Sequence, residues 1–171
     1  MEEEKKIKVV LVGSQGCGKT SIVARMKEDT FDPDVNPTVG IDFVSLQNES
    51  IKFQLWDTSG LSRFKPLMPS YFKDSKLCVF VYSVDNRSSF DEILKYVGIQ
   101  KDCMEDSKTV DLLIANKTDL DGRQVTTEEG EAFAAKHNMM YLEFSAKEGD
   151  KNILLAKLRE ATEKYETLTI Q

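Results

Sequence analysis

The chain has 171 residues, a length that suits one domain with a sizeable core. Its 23 basic and 29 acidic residues leave a net charge of −6, which argues against a nucleic-acid surface. Cys17, Cys78 and Cys103 are scattered, which points to a reducing compartment. The polar opening Met1-Glu2-Glu3-Glu4-Lys5-Lys6 and the lack of a membrane-length apolar run predict a cytoplasmic protein.

Residues 7–12 are an apolar run that reads as a strand. It leads into Gly13-Ser14-Gln15-Gly16-Cys17-Gly18-Lys19-Thr20, which fits the pattern G-x-x-x-x-G-K-[ST] at every fixed position. Ser21-Ile22-Val23-Ala24-Arg25-Met26 then opens a helix, so the motif has the strand–loop–helix setting it requires. Prolines and turn formers make 31–38 a loop. Residues 41–46 and 51–56 alternate and join at Gln47-Asn48-Glu49-Ser50 as a hairpin. Residues 77–82 and 110–115 are nearly continuous apolar runs, as in strands buried on both faces, and 139–144 is a sixth strand. Phe90, Leu94 and Val97 fall at helical spacing, Thr126-Thr127-Glu128-Glu129 reads as a capping box, and Leu154, Leu158, Ala161, Tyr165 and Leu168 make a last amphipathic stripe. Strands alternating with helices predict an α/β fold: a six-stranded, mostly parallel sheet, one antiparallel hairpin, and helices on both faces.

The chemistry follows from the loops at the strand ends. A glycine-rich loop lets backbone N–H groups point at phosphate oxygens, and the helix N-terminus adds unpaired donors. Lys19 brings a full charge to the β- and γ-phosphates, and the Thr20 hydroxyl can ligate Mg2+. Asp57-Thr58-Ser59-Gly60 ends a strand, where a carboxylate can hold Mg2+ through water and the Gly60 N–H can meet a γ-phosphate. Asn116-Lys117-Thr118-Asp119 ends another, and the Asp119 carboxylate can accept from the N1–H and exocyclic amine of guanine. Adenine lacks that donor pair and would leave the carboxylate unsatisfied. Ser145-Ala146-Lys147 follows the sixth strand and can present the Ala146 N–H to the guanine oxygen. Each short motif occurs by chance in turns, but their order, each after a strand, is specific. His137, the lone histidine, carries no expected role.

On these motifs the chain resembles the small Ras-like GTPases, P-loop nucleotide hydrolases with a small G domain. It is most similar to the Rab branch in Val39-Gly40-Ile41-Asp42-Phe43, Lys52-Phe53-Gln54-Leu55-Trp56-Asp57, Arg63-Phe64 and Tyr71-Phe72-Lys73. The resemblance spans essentially the whole chain and implies one G domain, 1–171, that binds GTP or GDP with Mg2+. It implies two switches, about 31–43 and 57–73, that order with GTP and relax with GDP. Thr38 would close over Mg2+ beside Thr20 and Asp57, Phe31 would pack edgewise on guanine, and Lys117 and Lys147 would flank the base. The implied nucleotide contacts are Gly13, Ser14, Gln15, Gly16, Cys17, Gly18, Lys19, Thr20, Ser21, Phe31, Asp32, Val35, Pro37, Thr38, Gly60, Asn116, Lys117, Asp119, Leu120, Ser145, Ala146 and Lys147. Lys19, Thr38 and Gly60 would act in catalysis. Phe43, Trp56 and Tyr71 read either as core packing or as the aromatic triad that Rab proteins present to effectors and exchange factors.

The departures from the family are as informative. The glutamine that orients the attacking water is replaced by Leu61, whose side chain makes no hydrogen bond. Gln15 stands where a small residue is usual, Ser62 where an acid is usual, and Val35 where an aromatic often shields the nucleotide. Gln15 can substitute as the water-orienting amide, or hydrolysis is slow and the switch rests with GTP; Leu61 is either natural or introduced. The chain ends after its last helix at Thr167-Leu168-Thr169-Ile170-Gln171, with no prenylatable cysteine or basic tract nearby, so membrane contact is expected only through a lipidated tail outside this sequence. The function readings are a monomeric Rab-type GTP switch in vesicular traffic with slow hydrolysis, and a hydrolysis-deficient GTP-loaded scaffold. A P-loop ATPase or nucleoside kinase is disfavoured by the guanine motifs.

Overall fold

The computed structural model describes residues 3–170. The elements in order are β1 (Lys5–Val12), α1 (Lys19–Glu28), β2 (Ile41–Asn48), β3 (Ile51–Thr58), a 3-10 turn (Ser62–Leu67), α2 (Met68–Phe72), β4 (Leu77–Ser83), α3 (Arg87–Cys103), β5 (Val110–Asn116), α4 (Thr127–Lys136), β6 (Met140–Glu143) and α5 (Lys151–Ile170). The strands form one sheet in the order β2-β3-β1-β4-β5-β6, with β2 antiparallel to β3 and the other pairings parallel. This is the expected α/β architecture. The hairpin is tighter than expected. Both strands run further, leaving only Glu49-Ser50 outside them, with Glu49 at φ 54°.

Alternation along β1 explains the layers. Ile7, Val9 and Leu11 face a core completed by Ile22 and Met26 of α1 and Leu154, Leu158 and Ala161 of α5. Val10 and Val12 face a second core, with Phe72 of α2, Ile93 and Val97 of α3, and Ala134 of α4. Helices thus cover both faces, and the parallel strand ends are left to carry loops. The α5 stripe is placed as expected, with Tyr165 and Leu168 packed at the margin of the first core.

The α3 stripe is a correction. Leu94 is 55 % exposed, and the buried face of α3 is Ser89, Ile93, Tyr96, Val97 and Gln100. Two polar residues hold that face because each finds a partner. The Ser83 N–H donates to Ser89 Oγ at 2.9 Å, and Gln100 Nε2 donates to Asp111 Oδ1 at 2.8 Å. The capping box at α4 is present. The Glu129 N–H donates to Thr126 Oγ1, and the Thr126 N–H donates to the Glu129 carboxylate. The stretch after Gly60 winds into the 3-10 turn and α2, with Pro69 in the first turn of α2, where its missing N–H costs no helix bond. His137 packs its ring against Phe133, 4.3 Å between centroids.

Candidate functional site

The loop from Gly13 to Gly18 turns from the end of β1 into α1 above the carboxyl edge of the sheet. Gly18 is required twice over. Its φ of 101° suits only glycine well, and a Cβ there would collide with the Asn116 amide. As the N-cap of α1 it supplies no side chain, so the first-turn N–H groups stay available to a ligand. Lys19 is buried at 6 % exposure, and its ammonium donates to the Gly13 carbonyl at 2.6 Å and the Ser14 carbonyl at 3.1 Å. The charge is therefore held inside the curl of the loop.

A cleft of about 340 Å³ opens in front of this loop. Gln15, Gly16, Gly18, Lys19, Thr20 and Ser21 line it, as do Phe31, Asp32, Val35, Pro37 and Thr38. Gly60, Leu61 and Lys117 line the cleft as well. Gly60 lies against the loop so closely that a Cβ would strike the backbone of Ser14 and Gln15. Gln15 and Leu61 therefore border the same corner of the cleft. Pro33, Asn36 and Thr58 also line it, though none of them is among the expected nucleotide contacts.

Three oxygen-bearing side chains converge beside Lys19. Thr20 Oγ1 donates to Asp57 Oδ2 at 2.6 Å and lies 2.9 Å from Thr38 Oγ1. Asp57 is 1 % exposed, and its Oδ1 has no hydrogen-bond partner among the described residues. Burial pushes the Asp57 carboxyl above its ordinary range, against the opposing Thr20 hydroxyl and Lys19 charge. An orphaned buried carboxylate oxygen beside two hydroxyls is a set of hard oxygen donors, which fits a small cation such as Mg2+ that keeps several waters.

The other expected residues lie beside the cleft or behind it. Asn116 Nδ2 donates to the Cys17 carbonyl at 3.0 Å while its Oδ1 accepts from the Ala146 N–H at 3.1 Å, so one buried amide joins the phosphate loop to the 145–147 turn. Ser145 Oγ donates to Asp119 Oδ1 at 2.7 Å, and Lys117 Nζ donates to the Gly16 carbonyl at 2.6 Å. Leu120 and Lys147 are exposed. Arg25 was missed: from α1 its guanidinium donates to the Ala146 carbonyl at 3.0 Å and the Lys147 carbonyl at 2.9 Å. Nothing local signals it, since the contact spans more than a hundred residues of chain.

These loops are in the order that the phosphate, metal and base motifs have in the sequence, and a family model described as the Ras family matches residues 8–163. The chain belongs to the Ras family. It is therefore a small GTPase of the Ras superfamily, a GTP-binding switch of a family that binds GTP or GDP with Mg2+ and hydrolyses GTP. In this Ras-family chain the aromatic residues singled out from the sequence separate. Phe43 is 64 % exposed and meets Trp56 edge-on at 4.6 Å, whereas Tyr71 is only 8 % exposed and belongs to the second core. Among the described residues no helix is long and apolar enough to cross a membrane.

Proposed function

We propose that this chain is a Rab-type switch that binds its nucleotide normally, hydrolyses GTP slowly, and recruits effectors in vesicular traffic. The observation that carries the reading is the corner of the cleft where Leu61 stands beside Gly60 and Gln15. Attack on the γ-phosphate needs a water held in line with the leaving oxygen, and leucine offers it only bulk. The binding groups lack any such defect. The backbone N–H groups of 13–18 and the start of α1 would cradle the phosphates, with Lys19 pairing the β- and γ-oxygens and the Gly60 N–H meeting the γ-phosphate. Thr20 and Thr38 would hold Mg2+ directly and Asp57 through water. Bound there, the ion neutralises charge on the β- and γ-phosphates. Phe31, Asn116, Lys117, Asp119, Ser145, Ala146 and Lys147 would enclose guanine.

We take 1–171 as a single, monomeric G domain with switch I at about 31–43 and switch II at about 57–73. Support for a Rab-type effector surface is the exposed Phe43 stacked edgewise on Trp56, which itself packs against the core that holds Tyr71. The protein would act at the cytosolic face of endomembranes, held there by a lipidated tail or a partner. The nucleotide retained through purification tests the slow-turnover reading. GTP as the main species supports it, and GDP alone contradicts it. A second reading, a GTP-loaded scaffold with no turnover, is favoured by the same leucine and separated by a multiple-turnover assay. GTP-dependent recruitment to endomembranes in cells supports the traffic role, and an unchanged diffuse distribution contradicts it.

A further inference from the structure

The two segments read as gripping guanine are tied together twice. One tie lies at the base itself, where Ser145 Oγ meets Asp119 and the Ala146 N–H meets Asn116. The other lies outside the cleft. Arg123, four residues past Asp119, donates through Nη1 to Glu143 Oε1 at 3.2 Å and through Nη2 to Glu143 Oε2. Glu143 is the last residue of β6, two before Ser145. The loop around Arg123 is pinned as well. Its Nε donates to the Val125 carbonyl at 2.6 Å, and the Gln124 and Val125 N–H groups both donate to the Val84 carbonyl.

The pair has the build of a strut. Two parallel bonds fix an angle as well as a distance, which a single lysine contact would not. Both side chains are about two-thirds or more buried, with 32 % and 28 % exposure, so water competes less than at an open surface pair. Glu143 Oε2 also accepts from Thr127 Oγ1 at 2.7 Å and from the Tyr141 hydroxyl at 2.8 Å, anchoring the carboxylate to the first turn of α4. Burial alone would raise this carboxyl, but the Arg123, Thr127 and Tyr141 hydrogen bonds hold it down to about 2, so it is charged throughout the neutral range. Neither Arg123 nor Glu143 lines the cleft.

We propose that Arg123 and Glu143 are positioning residues for guanine recognition, setting the spacing between the Asp119 loop and the Ser145 turn and with it the base-specific part of nucleotide affinity. The proposal rests on the assignment of Asp119 and Ala146 to the base. A nucleotide held by Asp119 through N1–H and the 2-amino group loses two pairings when the loop drifts, whereas inosine diphosphate, which lacks the 2-amino group, loses one. Breaking the strut therefore costs GDP more than inosine diphosphate.

The test is the dissociation rate of both nucleotides from Arg123→Met, Arg123→Lys and Glu143→Gln. Arg123→Met should release GDP roughly 3–10-fold faster, the scale of one partly buried ion pair. It should speed inosine diphosphate release less, so the preference for GDP falls, and Arg123→Lys should restore part of it. Glu143→Gln keeps the shape of the site and should shift the preference in the same direction if Arg123→Met proves too unstable to purify. Equal acceleration of both nucleotides means a role in stability alone and overturns the proposal, as does no acceleration. Asp119→Asn is measured in parallel. If it alters base preference while the Arg123 variants do not, the strut is refuted and the base assignment stands. If Asp119→Asn leaves base preference unchanged, both are overturned.

Discussion

The phosphate cradle and the hydrolytic corner share one cleft and are built in opposite ways. In the cradle, Lys19 is buried and bonded to two carbonyls, Asn116 braces the loop from behind, and Thr20 is bonded to Asp57. At the corner, Gln15 is exposed and Leu61 is half-buried, and neither side chain makes a hydrogen bond among the described residues. On the proposed reading, ground-state binding would draw on the first region, and acceleration of attack on groups placed by the second. On that reading, loss of one amide at the corner would leave the cradle as it was, so tight binding and poor turnover could coexist in one fold.

That contrast can be broken from the binding side. Asp119→Asn has the largest expected effect, because two hydrogen bonds to guanine are lost at roughly 1–3 kcal/mol each when buried. GTP and GDP affinity should fall and xanthine nucleotides should gain, measured by competition for a fluorescent nucleotide. Undiminished guanine preference would remove Asp119 from the base site. Thr20→Asn comes next. Replacing the hydroxyl beside Asp57 should lower Mg2+-dependent GTP affinity by about 10–100-fold, as metal-site changes typically do, and leave a protein that holds GDP at best. An unchanged magnesium titration would contradict the oxygen cluster as a metal site.

Two smaller effects sharpen the comparison by lying outside the cleft. Thr126→Ala removes the α4 cap and should lower unfolding stability by about 1 kcal/mol, with nucleotide affinity unchanged. A loss of affinity in step with stability would mean that the cradle is less independent of the scaffold than described. The smallest is a pH effect at Glu143, whose folded carboxyl is held at about 2 against an ordinary 4.5. A depressed carboxylate contributes stability that is fully present above its unfolded value and lost as pH falls toward its folded one. The advantage of the unaltered protein over Glu143→Gln should therefore shrink between pH 4.5 and about 2 in acid unfolding. A difference that holds constant across that window would contradict a charged, bonded Glu143.

Much of this architecture was legible in the sequence, for physical reasons that also mark its limit. The Gly13–Thr20 loop, the turn after Trp56 and the turns after Ala115 and Phe144 announce themselves because each is a short pattern directly after a strand, and the strands are apolar runs. The sheet brings those turns to one edge without further information. The buried face of α3 was misjudged because apolar residues at 90, 93, 94, 96, 97 and 99 cover more than one face, and the deciding residues, Ser89 and Gln100, are polar. Arg25 and the Arg123–Glu143 strut left no trace because their partners lie on other elements, and spacing along a chain says nothing of such pairs. The burial of Tyr71 in the second core likewise depends on how α2 packs, which its proline and short length conceal.

The measurement that bears most directly on the two-region account is single-turnover hydrolysis of preloaded GTP by the unaltered protein and by Leu61→Gln, with GTP affinity determined for both. The account predicts a slow starting rate, a clear gain on restoring the amide, and equal affinities. An arginine supplied by an activating protein, worth on the order of 10³–10⁵ in rate elsewhere, should help the glutamine variant far more than the unaltered protein. A starting rate already as fast as that of efficient relatives, or no gain from glutamine, would contradict the account and leave Gln15 as the residue that orients the water.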